Sequence, residues 1–96
     1  MTESQLIAGR WVLPTVESNR DGVVRMHVSV SVAEPDALAD VPIDVAVSGA
    51  GQQLAPRETP TPADYYYLQT RAVTAVADFA FDNPGGADPD TVTVSM

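Results

Sequence analysis

The segment GVVRMHVSVSV, residues 22–32, alternates apolar and polar side chains from Val24 onward. The apolar positions are Val24, Met26, Val28, Val30 and Val32, and the positions between them are Arg25, His27, Ser29 and Ser31. A period of two is typical of a strand that buries one face and exposes the other. The segment therefore predicts a strand that contributes one side to a core, with His27 on its polar face.

The residues before this segment predict its pairing partner. GRWVLPTV, residues 9–16, is rich in strand-forming residues, and ESNRDG, residues 17–22, carries the Asn, Asp and Gly that tolerate turn geometry. We therefore expect a β-hairpin. Pro14 cannot donate a ladder hydrogen bond, so its strand is expected to lie at a sheet edge or to be broken there.

Two later segments repeat the alternation, IDVAVSG at residues 43–49 and DTVTVSM at residues 90–96. Their inward positions are Ile43, Val45 and Val47 in the first and Val92, Val94 and Met96 in the second. Residues 33–42 are expected to form an acidic connection. The proline-rich and glycine-rich residues 49–62 predict at most a short edge piece around Leu54.

The segment 62–80 is compatible with two periods. A period of two groups Val73, Ala75, Ala77, Phe79 and Phe81, whereas a helical period groups Tyr65, Leu68, Ala72, Val76 and Phe79 after a capping-box pattern at 61–64. The consecutive tyrosines and the β-branched residues favour strand, because both lose rotamer freedom in a helix. The alternative is an α+β fold with a helix at 62–80 packed on an antiparallel sheet.

With strands throughout, the chain is expected to form a single all-β domain over residues 1–96, a small antiparallel sandwich of five to seven strands. WVLP followed by GVVRMHV, and later FDNPGGADPDTVTV, resemble fibronectin type III-like modules, in which a tryptophan strand comes early and an Asn-x-x-Gly turn feeds the last strand. The resemblance implies an immunoglobulin-like sandwich. Trp11, as a large apolar residue, is expected in the core.

Composition excludes several classes of function. The chain has no cysteine and no lysine, which removes thiolate, Schiff-base and P-loop lysine chemistry. A net charge of −8 disfavours nucleic acid and anionic membranes as partners, although it would also suit a salt-adapted protein. The N-terminus lacks the features of a secretory signal, so a cytoplasmic location is expected. With His27 as its one imidazole, the chain is expected to hold no histidine metal site and no cofactor.

The loop FDNPGGADPD, residues 81–90, has two interpretations. Its oxygen-bearing side chains are weak calcium candidates: Asp82, Asn83, Asp88 and Asp90. Their spacing does not follow an EF-hand, because Pro84 and Gly86 stand where ligands are needed. A turn with fixed φ at Pro84 followed by two glycines has fewer requirements, so no bound metal is predicted.

The remaining candidates are interaction residues: Tyr65, Tyr66, Tyr67, Thr91, Thr93 and Ser95. Three consecutive tyrosines cannot all point inward on a strand, and the last strand is an uncharged candidate for strand addition. We therefore expect a non-enzymatic interaction or accessory module that binds either a protein partner or a second copy of itself as a homo-oligomer. The alternative is a small-ligand-binding protein or small hydrolase that uses the tyrosines with Arg71 or His27. His27 is otherwise expected to be a solvated surface residue with at most a pH-sensitive contact.

Overall fold

A computed structural model of the chain describes residues 4–7, 9–34, 38–69 and 73–96. Within these residues the regular structure is nine strands and one 3-10 turn. The strands are β1 (Gln5–Ile7), β2 (Arg10–Arg20), β3 (Val23–Val32), β4 (Asp44–Gly49), β5 (Gln52–Gln53), β6 (Ala55–Glu58), β7 (Tyr66–Gln69), β8 (Val73–Asp82) and β9 (Thr91–Ser95), and the turn is Pro62–Asp64. The predicted small all-β antiparallel fold is confirmed.

The strands form two antiparallel sheets. The larger sheet has the order β1-β2-β3-β8-β6, and β7 also pairs with β8. The smaller sheet has the order β5-β4-β9. The chain passes from the smaller sheet to the larger one at Leu54, between β5 and β6, so the short edge piece predicted around Leu54 is divided between the two sheets.

The hairpin predicted from residues 9–32 consists of β2 and β3, and its turn is tighter than expected. Arg20 pairs directly with Val23, which leaves only Asp21 and Gly22 in the turn. Both have positive φ, 58° and 74°, as a two-residue type I′ turn requires. Strand β2 runs unbroken through Pro14, which lies beyond the part of β2 that pairs with the described residues of β1.

The helix alternative for residues 62–80 is wrong for the described residues of that range. They form β7 and most of β8, and only Pro62–Asp64 makes a single 3-10 turn. The local capping signal is nevertheless present, since the Asp64 carboxylate accepts hydrogen bonds from the Thr61 N–H at 2.8 Å and hydroxyl at 3.0 Å. These bonds lower the pKa of Asp64. Pairing of β8 with β3 along its whole length outweighs this one turn of helical propensity.

Both sheets contribute to one buried apolar cluster. Its members are Val12, Val24, Met26, Val28, Val30, Leu38, Ile43, Val47, Leu54, Tyr65, Ala75, Ala77, Phe79, Phe81, Val92 and Val94. The inward positions predicted for β3, β4 and β9 are therefore confirmed, with Val32, Val45 and Met96 partly buried at its margin. The rings of Phe79 and Phe81 lie 6.3 Å apart and nearly parallel.

Trp11 is not in this core, so the prediction for that residue is wrong. Its side chain is 57% exposed, whereas its neighbour Val12 is fully buried. Successive residues of a strand point to opposite faces, so the burial of Val12 directs Trp11 outward.

No helix in the part of the chain that the structure describes is long and apolar enough to cross a membrane.

Candidate functional site

A cluster of titratable side chains lies on the outer face of the larger sheet, the face that carries Arg25, His27, Ser29 and Ser31 of β3. His27 pairs with Thr15 of β2 on one side and with Asp78 of β8 on the other. Glu17 joins them because the β2–β3 register shifts between Val16 and Ser18, which gives β2 an extra residue at this point. Such a bulge changes the direction of a side chain.

Glu17, His27 and Asp78 form what we call the Glu–His–Asp cluster. One ligand atom from each lies within 4.8 Å of the other two. The Nδ1 atom of His27 contacts Oε1 of Glu17, and the side chains remain 27% and 48% exposed. The Tyr66 hydroxyl donates to Oδ1 of Asp78 at 3.5 Å. The cluster is therefore accessible, and its side chains come from three adjacent strands.

A surface pocket of about 420 Å³ adjoins the cluster. Its polar lining includes Glu17, Asp78 and Tyr66, together with the exposed pair Arg25–Glu58 at 3.7 Å. The pKa of Tyr66 is raised, first by desolvation and then by the negative charges of Asp78 and Glu17. A phenol that stays neutral and two carboxylates thus face the same space.

The three consecutive tyrosines separate into different environments. Tyr65 is 7% exposed, and its hydroxyl accepts from the Ile43 N–H at 2.8 Å and donates to the Val41 carbonyl at 3.1 Å. Tyr67 packs against the core, and its hydroxyl is buried without a partner among the described residues. Tyr66 is 44% exposed on the outer face. Tyr66 is thus the one of the three tyrosines whose side chain is exposed, and Arg71 lies outside the described residues.

The buried phenol of Tyr65 predicts a stability loss at alkaline pH. Desolvation, the largest cause, raises the pKa of Tyr65 in the folded state above its ordinary value of 10.0. Its contribution to the free energy of unfolding is therefore complete below about pH 10 and is lost as pH rises toward the folded-state pKa. Urea denaturation between pH 8 and pH 11 should show a shallower decline for Tyr65→Phe than for the wild type. Equal slopes would contradict this assignment.

The loop at residues 81–90 has the geometry of a turn. Asn83 is 3% exposed, and its side-chain amide donates to Asn19 Oδ1 at 2.8 Å and to the Ala87 carbonyl at 2.9 Å. The Gly86 N–H donates back to the Asn83 carbonyl at 3.1 Å.

The carboxylates of the same loop have separate neighbours. Asp82 lies 3.3 Å from Arg57, Asp88 accepts from Asn19 at 3.3 Å, and Asp90 accepts from the Thr91 hydroxyl at 3.1 Å. This arrangement agrees with the turn interpretation of the loop.

The candidates on the last strand lie at a sheet edge. Strand β9 pairs with β4 and with no other strand in the described part of the chain. Val92 and Val94 point into the core, whereas Thr91, Thr93 and Ser95 are exposed. The five residues contain no charge and no proline.

The larger apolar side chains that remain exposed share the outer face. Leu6 pairs with Trp11 at one side of the sheet, while Tyr66 and Leu68 lie on β7 at the other side. They are 61%, 57%, 44% and 50% exposed, in that order. Strands β3 and β8 lie between the two pairs in the sheet.

The sequence indicated the polar face of His27 but not the Glu–His–Asp cluster. A single imidazole was expected to exclude a histidine metal site, yet two carboxylates from other strands lie beside it. The Asp-Gly pair at residues 21–22 predicts a tight turn, and such a turn places Glu17 near His27 on the neighbouring strand. The sequence therefore contains a signal for this part of the cluster. The position of Asp78, 51 residues farther along the chain than His27, has no local signal.

Comparison with known proteins finds no matching family model, no matching curated protein and no matching solved structure.

Proposed function

We propose that this chain is a non-enzymatic protein–protein interaction module that extends its smaller sheet through β9, and that its simplest partner is a second copy of itself. The edge of β9 is the observation that carries the proposal, since β9 pairs with β4 alone among the described residues. An edge strand presents backbone N–H and C=O groups that another strand can pair with.

The other edges of the molecule carry features that oppose strand addition. Strand β6 contains Pro56, Arg57 and Glu58, and proline and charge are devices that block edge pairing. Strands β1, β5 and β7 have three, two and four described residues, which is short for a docking edge. Strand β9 combines five residues with an outward face of threonine and serine. It is therefore the edge best suited to a partner strand.

The connectivity supports an immunoglobulin-like arrangement as the finer description of the fold. In that arrangement strand B pairs with E in one sheet and strand C pairs with F in the other, and a further strand pairs with the second edge of F. Pairing of β3 with β8 and of β4 with β9 matches this pattern when β9 takes the position of F. A partner strand beside β9 would then occupy the position of that further strand.

A double substitution on β9 tests the proposal. Thr91→Lys with Thr93→Lys places two positive charges on the exposed face of the edge, and charges of this kind oppose pairing with an identical strand. We expect light scattering to give a mass that rises with concentration toward twice 10.1 kDa for the wild type and stays at 10.1 kDa for the variant. Ser31→Lys is the control, because Ser31 is exposed on β3, a central strand of the other sheet.

Two results would contradict self-association through β9. The wild type could remain monomeric up to about 1 mM, which would mean that the free energy of association is weaker than roughly 4 kcal/mol. Alternatively, the lysine variant could associate as strongly as the wild type, which would assign association to another surface.

A further inference from the structure

We infer that the Glu–His–Asp cluster binds a divalent first-row transition-metal ion, with Zn²⁺ as the best fit. The three ligand atoms already lie within 4.8 Å of one another. Ligands on a tetrahedral Zn²⁺ at about 2.1 Å would be roughly 3.4 Å apart. The most widely separated ligand atoms must approach each other by up to about 1.4 Å, and the contacting Glu17 and His27 atoms must move apart. Partly exposed side chains can make both changes by rotation about their torsion angles.

The backbone holds the three side chains in place more firmly than a loop would. His27 and Asp78 are directly opposite each other on β3 and β8, where paired side chains start about 4.5 to 5.5 Å apart at Cβ. Glu17 reaches the same point from β2 on the other side of β3 through the local register shift. The Tyr66 hydroxyl contacts Asp78 and orients its carboxylate. The site is thus assembled on rigid elements.

The ligand set selects the kind of ion. One imidazole nitrogen with two carboxylate oxygens suits Zn²⁺ and its neighbours in the first transition row, whereas Ca²⁺ and Mg²⁺ prefer oxygen ligands alone. Three protein ligands leave a fourth position for water or another ligand. The adjoining pocket of about 420 Å³ provides space there, and the net charge of −8 attracts cations.

The single histidine makes the experiment direct, because every imidazole signal in an NMR spectrum comes from His27. Titration of the purified protein with Zn²⁺ should shift those signals until one equivalent is bound, and calorimetry should give the same stoichiometry. Glu17→Gln and Asp78→Asn should each weaken binding about tenfold or more, since loss of even an outer-shell partner costs about 10–100-fold. His27→Gln should remove specific binding.

Glu34→Gln is the matched control. It removes the same charge as Glu17→Gln, and Glu34 is exposed beyond the end of β3, about 16 Å or more along the strand from His27. Its affinity for Zn²⁺ should match that of the wild type. Circular dichroism establishes that each variant is folded before its affinity is compared, and Asp78→Asn and Glu17→Gln test the cluster from separate strands.

Three outcomes would overturn the inference. The His27 signals could stay unchanged at twofold excess Zn²⁺. Glu34→Gln could weaken binding as much as Glu17→Gln, which would indicate general attraction to an acidic surface. Mg²⁺ at the same concentration as the bound Zn²⁺ could displace it, which would show that the imidazole nitrogen of His27 is not a ligand. The site is independent of the proposed association, so a monomeric Thr91→Lys, Thr93→Lys variant should bind Zn²⁺ as the wild type does.

Discussion

Replacing Phe79 with alanine should lower the free energy of unfolding by about 3–5 kcal/mol. Phe79 is 4% exposed at the middle of β8, where it pairs with Met26 and stacks against Phe81. Alanine would remove the ring and leave a cavity in the core to which both sheets contribute. Because domains of this size are stable by only about 5–15 kcal/mol, the loss is a large share of the total. Urea denaturation of the two proteins measures it.

Trp11→Ala is the control for this prediction. Trp11 is larger than Phe79 but is 57% exposed on the outer face, so its removal should cost about 1 kcal/mol or less. Side-chain size alone would predict a larger loss of stability for Trp11→Ala than for Phe79→Ala, because tryptophan has more apolar surface to bury. If Trp11→Ala destabilised the protein as much as Phe79→Ala, the assignment of Val12 to the core face of β2 and of Trp11 to its outer face would be wrong.

Asn83→Asp should destabilise the protein by about 3–5 kcal/mol, and Asn83→Ala by about 1–3 kcal/mol. The Asn83 amide donates to Asn19 Oδ1 and to the Ala87 carbonyl, and it is 3% exposed. Aspartate would direct a buried negative charge at two acceptors, whereas alanine would only leave them without a donor. Thermal and urea unfolding of both variants should show this order of effects.

The same pair of variants tests the calcium alternative for this loop. Asp40→Asn, on an exposed residue outside the loop, is the control and should change stability by no more than about 0.5 kcal/mol. If Asn83 belonged to a calcium site, aspartate would be the better ligand, and saturating calcium would restore the stability of Asn83→Asp. Calcium at a hundred times its dissociation constant would add about 2.7 kcal/mol. We expect no such recovery, because the Asn83 side chain is occupied as a donor.

Local alternation in the sequence was sufficient to predict β3, β4 and β9 and their inward residues. Val24 to Val32, Ile43 to Val47 and Val92 to Met96 have the faces that a period of two indicates. The reason is that strand geometry converts sequence spacing directly into sides of a sheet. Turn-forming residues predicted the hairpin connection within residues 17–22, and the structure narrows the turn to Asp21–Gly22, whose positive φ angles suit residues of that kind.

Residues 62–80 show where local pattern is insufficient. The capping contacts of Thr61 with Asp64 exist, and they support only one turn before the chain becomes extended. Pairing of β8 with β3, a partner about 50 residues earlier, provides a continuous ladder and buries Ala75, Ala77 and Phe79. A short window of sequence contains the propensity for the turn but not the ladder that outweighs it.

The sequence by itself determined the strand faces, the hairpin, the absence of thiol and lysine chemistry, and the exposed threonines of the last strand. Tertiary structure alone decided that β9 pairs with β4 and leaves its other edge without a partner among the described residues. It also brought Asp78 beside His27 and turned Glu17 toward both through a register shift. The physical reason is that periodicity specifies which residues share a face, whereas the neighbour of each strand is chosen by packing between residues far apart in the chain.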